Sequence, residues 1–172
     1  MNKYIAVTIG DINGIGIKIL FDVLKQKKTN NIILFTDLRV IKKNIKENDI
    51  KQDINVVNKD KHNIDFQNKK LNLYNYKSKS LEDNTYKSLK FAYEICSKNI
   101  CIGIITLPLS KEVIRKKINK NFIGHTEFFQ NLEKKKNSNM ILVHKKIIIS
   151  TLTTHIEIKK ISKLITNKKF IY

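Results

Sequence analysis

Tryptophan is missing from this chain of 172 residues, and proline and cysteine are scarce, with one Pro and two Cys. Cys96 and Cys101 cannot build the disulfide framework of a small secreted protein, and we expect both to be core thiols. The longest apolar runs, such as residues 147–149, fall far short of the roughly 20 residues that span a membrane. Met1 leads into a strand-like run with no signal-peptide cleavage site. These absences predict a cytoplasmic protein without membrane segments.

Arginine is also scarce, although the chain is strongly basic. Lys and Arg number 34 against 15 acids, a net charge of +19, yet only Arg39 and Arg115 are arginines. Nucleic-acid-binding proteins favour Arg, whose planar guanidinium matches phosphates and guanine edges. Lys, Ile and Asn make up nearly half of the chain, a bias that an AT-rich genome produces without any selection for binding. The composition therefore disfavours nucleic acid as a partner. A basic nucleic-acid-binding α/β module remains an alternative, and it would lose affinity steeply between about 50 and 200 mM salt.

Hydrophobic residues make up 41% of the chain, enough to bury a core. Strand-like runs alternate with segments whose apolar residues recur at helical spacing. The predicted strands are residues 4–9, 31–36, 54–57, 71–74, 100–106, 140–143 and 146–153, and the main predicted helices are 17–24, 37–46, 80–96, 110–117 and 158–165. This alternation predicts an α/β fold with a largely parallel sheet. The almost continuous apolar run at 100–106 predicts a strand buried on both faces.

A glycine-containing loop, Gly10–Gly16, joins the first predicted strand to the first predicted helix. Anionic groups often bind there in α/β proteins, because a helix N-terminus offers free N–H donors. The loop lacks the third glycine of the dinucleotide fingerprint, since Ile19 stands in its place, and it has no Gly-Lys-Ser/Thr sequence of a P-loop. An anion site and a tight strand–helix turn both remain open.

Histidines stand at the ends of two predicted elements. His125 precedes Thr126 at a helix start, where an imidazole can donate to a phosphate or carboxylate; a helix capped by Thr126 is the alternative. His155 follows a predicted buried strand, and ligands of open α/β sheets gather at the carboxyl ends of strands. It is a candidate metal ligand, although a zinc-type site needs three protein ligands. His62 and His144 are expected at the surface.

Five motifs occur in a fixed order along the chain. They are IAVTIGDINGIG at 5–16, TLPLSKE at 106–112, FIGHTEFF at 122–129, MIL at 140–142 and TTHI at 153–156. Together they resemble the 4-hydroxythreonine-4-phosphate dehydrogenases of pyridoxal phosphate biosynthesis, in their N-terminal half. Each motif is short, but five in register are specific.

The resemblance implies an isocitrate/isopropylmalate-dehydrogenase-like fold with α/β/α layers, a mostly parallel sheet, and a homodimer when the protein has its full length. It also implies two domains with the active site in the cleft. Residues 1–106 would be the N-terminal part of the first α/β domain, and residues 107–172 the start of a second, truncated one. The fold would thus be incomplete at its C-terminus.

The resemblance implies NAD-dependent oxidation of 4-phosphohydroxy-L-threonine, followed by decarboxylation, in pyridoxine 5'-phosphate biosynthesis. A divalent metal (Zn, Mg or Co) held by three histidines would polarise the reacting oxygen. By motif, His125 and Thr126 would contact the small phosphorylated substrate and His155 would be the first metal ligand. A dehydrogenase for a related four-carbon acid, such as threonate 4-phosphate, is the alternative.

Departures from the family pattern limit what this segment is expected to do. The loop continues as Gly16-Ile17-Lys18 where the family has Gly-Pro-Glu, so a base replaces an acid. The family's second and third metal-ligand segments are not found, and its NAD contacts are expected beyond residue 172. We therefore expect a fragment that is inactive by itself.

Overall fold

Residues 4–26, 31–57, 70–135, 138–153 and 156–165 are described by a computed structural model of the chain. The chain forms two compact units, residues 1–125 and residues 126–172. The first unit contains a parallel sheet with helices on both faces. The second contains most of one helix, a β-hairpin and a further short helix.

A five-stranded parallel sheet is the centre of the first unit. Its strands are β1 (Tyr4–Thr8), β2 (Ile32–Thr36), β3 (Ile54–Val57), β4 (Leu71–Asn75) and β5 (Cys101–Thr106). Their order across the sheet is β3-β4-β2-β1-β5, and every neighbouring pair is parallel. The largely parallel sheet predicted from the sequence is confirmed.

Helices cover both faces of this sheet. They are α1 (Ile15–Gln26), α2 (Leu38–Glu47) and α3 (Leu81–Ser97), and a further helix, α4 (Lys111–Lys117), contacts α3. Because successive side chains of a strand point to opposite faces, Val7 packs in the cluster that contains α1 and α2, whereas Ala6 packs in the cluster that contains α3. The α/β/α layering implied by the resemblance is therefore present in this unit.

The start of α3 follows its predicted cap. The Ser80 hydroxyl accepts a hydrogen bond from the Asp83 backbone N–H at 3.1 Å, and Glu82 and Asp83 occupy the first turn. Carboxylates in a first turn favour a helix because they face its positive end. The cap fixes the position at which the chain leaves the loop after β4 and enters α3.

Asp37, at the end of β2, is the most heavily hydrogen-bonded carboxylate among the described residues. It accepts from the backbone N–H, Nε and Nη2 of Arg39, the last at 2.6 Å, and from the backbone N–H and hydroxyl of Ser78 at 2.8 and 2.9 Å. The Asn84 side-chain oxygen in turn accepts from the Asp37 N–H at 2.9 Å. Burial alone would raise the pKa of Asp37, but the bonds from Arg39 and Ser78 outweigh it and hold the pKa well below its ordinary value.

The burial predicted for the strand at 100–106 is wrong for one of its faces. β5 lies at the edge of the sheet beside β1, and its side chains Ile102 and Ile105 are 62% and 49% exposed. Only Cys101 of this strand is fully buried, in the cluster that contains α3. A continuous apolar run shows that a strand is suited to burial, but not which of its faces is covered.

Helix α4 belongs to the first compact unit. The Lys117 ammonium lies 2.6 Å from the Glu82 carboxylate of α3, and this contact lowers the pKa of Glu82 to about 2. The first unit therefore continues to residue 125 instead of ending at the strand–loop junction after β5. The domain division at residues 106 and 107 concerns the whole protein and stays a prediction.

The second unit has little buried surface in its strands. It contains most of α5 (His125–Leu132), the antiparallel strands β6 (Ile141–His144) and β7 (Ile147–Ser150), and α6 (Ile158–Leu164). Every residue of β6 and β7 is exposed, and Ile148 is 70% exposed. The predicted buried strand at 146–153 is thus wrong in its burial and ends at Ser150. No described helix of either unit has both the length and the apolar character needed to cross a membrane.

Replacing Asp37 with Asn should lower the free energy of unfolding at pH 7 by about 1–3 kcal/mol, because the donors of Ser78 and Arg39 lose a charged acceptor that is buried. Since the folded-state pKa of Asp37 is depressed, its charge stabilises the protein above the unfolded pKa of about 3.9, and this contribution falls as pH drops below that value. Asp37→Asn should therefore also flatten the acid branch of stability against pH. Urea unfolding between pH 2.5 and 7 measures both effects.

Asp22→Asn is the matched control for this prediction, because it makes the same chemical change at an exposed position of α1. It should change the free energy of unfolding by no more than about 0.5 kcal/mol. Equal effects of the two substitutions would contradict the importance assigned to Asp37.

Candidate functional site

The loop Gly10–Gly16 lies where the sheet changes direction. β1 leads through α1 to β2 on one side, whereas β5 reaches the other side of β1 from α3, which packs on the opposite face. Ligands of open α/β sheets bind outside the carboxyl ends of strands at such a switch point. The loop therefore stands where the fold places a ligand.

The space beside the loop's glycines is filled by the chain itself. Gly10 has φ +61°, and a Cβ added to it would lie 2.5 Å from the Pro108 carbonyl oxygen. A Cβ at Gly16 would lie 3.0 Å from Cδ of Pro108 and 3.1 Å from Cβ of Leu107. The Asp11 N–H donates to the Pro108 carbonyl at 2.8 Å, which fixes the two loops together. Both glycines are thus required for packing, which favours the tight-turn interpretation.

A dinucleotide does not fit this loop. Glycines of a phosphate-binding loop let a pyrophosphate approach the backbone, whereas the described backbone here is approached by Leu107 and Pro108. The Thr85 hydroxyl also donates to the Gly10 carbonyl at 2.6 Å and holds the turn against α3. The glycines of Gly10–Gly16 are therefore packed against the chain itself and leave no room for a pyrophosphate.

A cleft of about 390 Å³ opens beside the same loop. Its walls come from the loop, α2 and the segment before α3, and they are Ile12, Asn13, Arg39, Val40, Lys43, Asn44, Glu47 and Ser78–Leu81. Three cationic side chains line it, but Arg39 is paired with Asp37 at 2.6 Å and Lys43 faces Glu47 at 3.7 Å. Two of its three positive charges face carboxylates, which weakens the attraction of the cleft for an anion.

His125 is the first residue of α5 and is half-buried, whereas Thr126 is exposed inside the first turn. Thr126 is therefore not the N-cap that one interpretation of the sequence assigned to it. Burial lowers the pKa of His125, which favours a neutral imidazole at pH 7. Its Nε2 is buried and has no hydrogen-bond partner within the described part of the chain. A neutral imidazole has one donor and one acceptor nitrogen, so this ring can bind a polar group of a ligand.

The proposed metal ligand, His155, lies outside the described residues, as does His62. His144 ends β6 and is exposed, as expected. In residues 4–26, 31–57, 70–135, 138–153 and 156–165, no three His, Cys, Asp or Glu side chains are placed to hold a metal ion. The described residues alone therefore do not form the three-histidine metal site that the resemblance implies.

The hydrogen-bonded group around Asp37 and the cleft beside it were not found from the sequence. The available signal was weak: Arg39 is one of two arginines in a Lys-rich chain and follows Asp37 by two residues. Ser78 and Asn84, which complete the group, lie in other elements. Their convergence depends on the pairing of β2 with β4, which local sequence does not reveal.

Comparison with known proteins gives one family and a set of relatives. The family described as pyridoxal phosphate biosynthetic protein PdxA matches residues 27–172. The 4-hydroxythreonine-4-phosphate dehydrogenase of Wigglesworthia glossinidia brevipalpis is 28% identical over 177 residues, which cover 96% of this chain and 53% of that protein. The enzyme of the same name from Sulfurihydrogenibium sp. is 26% identical over 183 residues, which cover 97% of this chain and 54% of that protein. The chain spans about half the length of the curated relatives it matches.

Solved structures agree with the fold. A 4-hydroxythreonine-4-phosphate dehydrogenase from Klebsiella pneumoniae superposes with a TM-score of 0.82 at 19% identity, over 97% of this chain and 55% of that one. One from Burkholderia phymatum gives 0.79 at 19% identity, over 98% and 55%. At such identities the likeness concerns the fold alone.

Gly10→Ala should lower the free energy of unfolding by about 1–3 kcal/mol, because it combines a positive φ with a clash against the Pro108 carbonyl. Gly103→Ala is the matched control, since a Cβ there meets nothing within 4 Å, and it should change stability by less than about 0.5 kcal/mol. Urea unfolding followed by circular dichroism measures both variants. A Gly10→Ala protein as stable as the control would contradict the packing role of this glycine.

Proposed function

Since the chain belongs to the pyridoxal phosphate biosynthetic protein PdxA family, we propose that the whole protein oxidises 4-phosphohydroxy-L-threonine with NAD. Decarboxylation of the product follows, and the reaction serves pyridoxine 5'-phosphate biosynthesis. The observation that carries this proposal is the family match over residues 27–172. Relatives aligned along almost the whole chain and named 4-hydroxythreonine-4-phosphate dehydrogenases support it. The proposal concerns the whole protein, because those relatives are about twice as long as this chain.

His125 and Thr126 are proposed to bind the substrate. The half-buried His125 ring has an Nε2 atom without a partner in the described residues, and burial lowers the pKa of the ring. A neutral imidazole can form a hydrogen bond to a substrate oxygen without bringing a charge into the site. Thr126 follows in the same helical turn with an exposed side chain, so its hydroxyl is accessible to a ligand. The two residues would bind and orient the substrate.

Groups from outside the described residues would complete the reaction. A divalent metal (Zn, Mg or Co), with His155 as its first ligand, would supply Lewis-acid polarisation when bound. NAD would accept the hydride. Assembly as a homodimer and a location in the cytoplasm are part of the same proposal.

A second substrate is kept as the alternative because some relatives point to it. Relatives at 25% and 29% identity carry the provisional name D-threonate 4-phosphate dehydrogenase. Threonate 4-phosphate also has four carbons, a phosphate and a hydroxyl on the carbon that would be oxidised. Parallel assays with the two substrates on the whole protein distinguish the alternatives, since the preferred substrate has the higher kcat/KM.

His125→Ala should lower kcat/KM for 4-phosphohydroxy-L-threonine by at least about 10-fold, equivalent to about 1.4 kcal/mol. The physical reason is the loss of a hydrogen bond to the bound substrate, while Tm should change little because Nε2 has no described protein partner. NADH absorbance measures the rate, and a thermal melt measures stability.

The matched control is His144→Ala, which removes an exposed imidazole at the end of β6 and should leave both quantities unchanged. A large loss of stability with catalysis intact in His125→Ala would assign that histidine a structural role. No NADH from either substrate with the metal-loaded whole protein would reject the proposed reaction.

A further inference from the structure

The only two cysteines of the chain are brought together at one end of the sheet. Cys96 lies in the last turns of α3, and Cys101 is the first residue of β5. Cys101 is buried in the core cluster between α3 and the sheet, and Cys96 packs against that cluster from its partly exposed rim. The candidate substrate residues are on a different element, so this pair is separate from the proposed active site.

The turn between α3 and β5 explains why the two thiols meet. The Asn99 N–H donates to the Cys96 carbonyl at 2.9 Å, and the Ile100 N–H donates to the Ile95 carbonyl at 3.3 Å. Asn99 has φ +57°, a left-handed conformation that ends a helix and reverses the chain. The strand therefore begins beside the last turns of the helix that precedes it.

An irregularity in β5 completes the arrangement. The register between β1 and β5 shifts between Tyr4 and Ala6, as it does at a β-bulge. The Gly103 carbonyl, within this stretch of β5, accepts a hydrogen bond from the Cys96 thiol at 3.5 Å. The Cys96 and Cys101 side chains also hydrogen-bond with each other. Both thiols thus lie in one cluster at the junction of α3 and β5, where a disulfide can join them.

The two thiols differ in reactivity. The hydrogen bond from Cys101 lowers the pKa of Cys96, whereas the contact with Cys96 and burial raise the pKa of Cys101. Cys101 is 4% exposed, while Cys96 is partly accessible to solvent. Because the thiolate is the form that reacts with oxidants, Cys96 is the thiol that reacts first.

We propose that Cys96 and Cys101 form a reversible intrachain disulfide when the protein is exposed to hydrogen peroxide. The Cys96 thiolate attacks one peroxide oxygen, the O–O bond breaks, and Cys96 becomes a sulfenic acid while the departing hydroxide takes a proton to give water. The Cys101 sulfur then attacks the Cys96 sulfur, the S–O bond breaks, the S–S bond forms, and a second water leaves. In total, two thiols lose two electrons and two protons to one peroxide.

Such a bond would act on the loop that contacts Gly10. β5 runs from Cys101 to Thr106, and the chain then enters the Leu107–Pro108 segment that packs against Gly10 and Gly16. A disulfide would tie the start of this strand to α3, which also contacts the Gly10 carbonyl through Thr85. The start of β5 would then be fixed to α3 by the disulfide. The end of β5 leads into the segment that packs against the Gly10 turn, and Thr85 of α3 contacts that turn.

Peptide mapping under non-reducing conditions tests the proposal, because Lys98 separates the two cysteines. After treatment of the folded protein with a small molar excess of peroxide, trypsin should release peptides 91–98 and 99–111 joined by a disulfide. The intact mass should fall by 2 Da, and dithiothreitol should restore both. Oxidation to sulfinic or sulfonic acid without the joined peptides, or disulfides between molecules, would overturn the proposal.

Single alanine variants provide matched controls and test the order of events. Cys101→Ala should accumulate a sulfenic acid at Cys96 that dimedone traps, and Cys96→Ala should leave Cys101 oxidised at least about tenfold more slowly. Circular dichroism checks that each variant is folded; if one is not, the wild-type map still decides. Equal oxidation rates of the two single variants would reject the assignment of Cys96 as the first thiol to react.

Discussion

The buried carboxylate of Asp37 joins the three layers of the first unit at the carboxyl edge of its sheet. It lies at the end of β2, binds Arg39 of α2, and accepts from Ser78 in the segment that follows β4. Asn84 of α3 accepts from the backbone N–H of Asp37 and so brings the opposite layer to the same point. The loops that form the wall of the nearby cleft therefore take their positions from one ionised side chain. A residue without a side-chain acceptor there would leave five donors, three of Arg39 and two of Ser78, without their present partner.

The few carboxylates of this chain, which has a net charge of +19, form ion pairs that connect its elements. Besides Asp37, the Glu82 carboxylate contacts Lys117 of α4 at 2.6 Å, and Asp83 contacts Lys87 at 2.9 Å. Positive charges in excess repel one another in the compact state. The few acids relieve this repulsion where α3 meets the loop before it and α4, so they both reduce the charge and hold elements together.

The sequence predicts where the helices and strands of this fold lie better than it predicts which of their faces are buried. The strand at 54–57, the start of α3 at Ser80 and the apolar face of α1 follow from alternation, capping and helical spacing, which depend on neighbouring residues. The exposure of β5 and of the 141–150 hairpin depends on which layers reach them, and no local pattern encodes that.

For the candidate site too, the sequence predicts the positions of the residues better than it predicts their contacts. Motif and position locate Gly10–Gly16 and His125, and the structure places both at element ends. The sequence leaves two meanings open for the glycines, because the choice depends on Pro108, nearly one hundred residues away. Contacts across such a distance are set by the pairing of β1 with β5. The resemblance to a family adds a function to these residues, which physical patterning alone does not provide.

The position of β1 also has a consequence for the order in which the sheet assembles. β1 is the first strand of the chain, yet one of its two neighbours, β5, follows roughly one hundred residues later. During synthesis β1 emerges long before β5 has been made. The edge of β1 that pairs with β5 therefore stays unpaired until β5 is available. Closure of this long loop is an entropic cost that precedes the pairing energy, so we expect the β1–β5 pairing to form late in folding of the unit. The edge of β1 that faces β5 is thus paired last, and β1 is the strand that leads into the Gly10 turn.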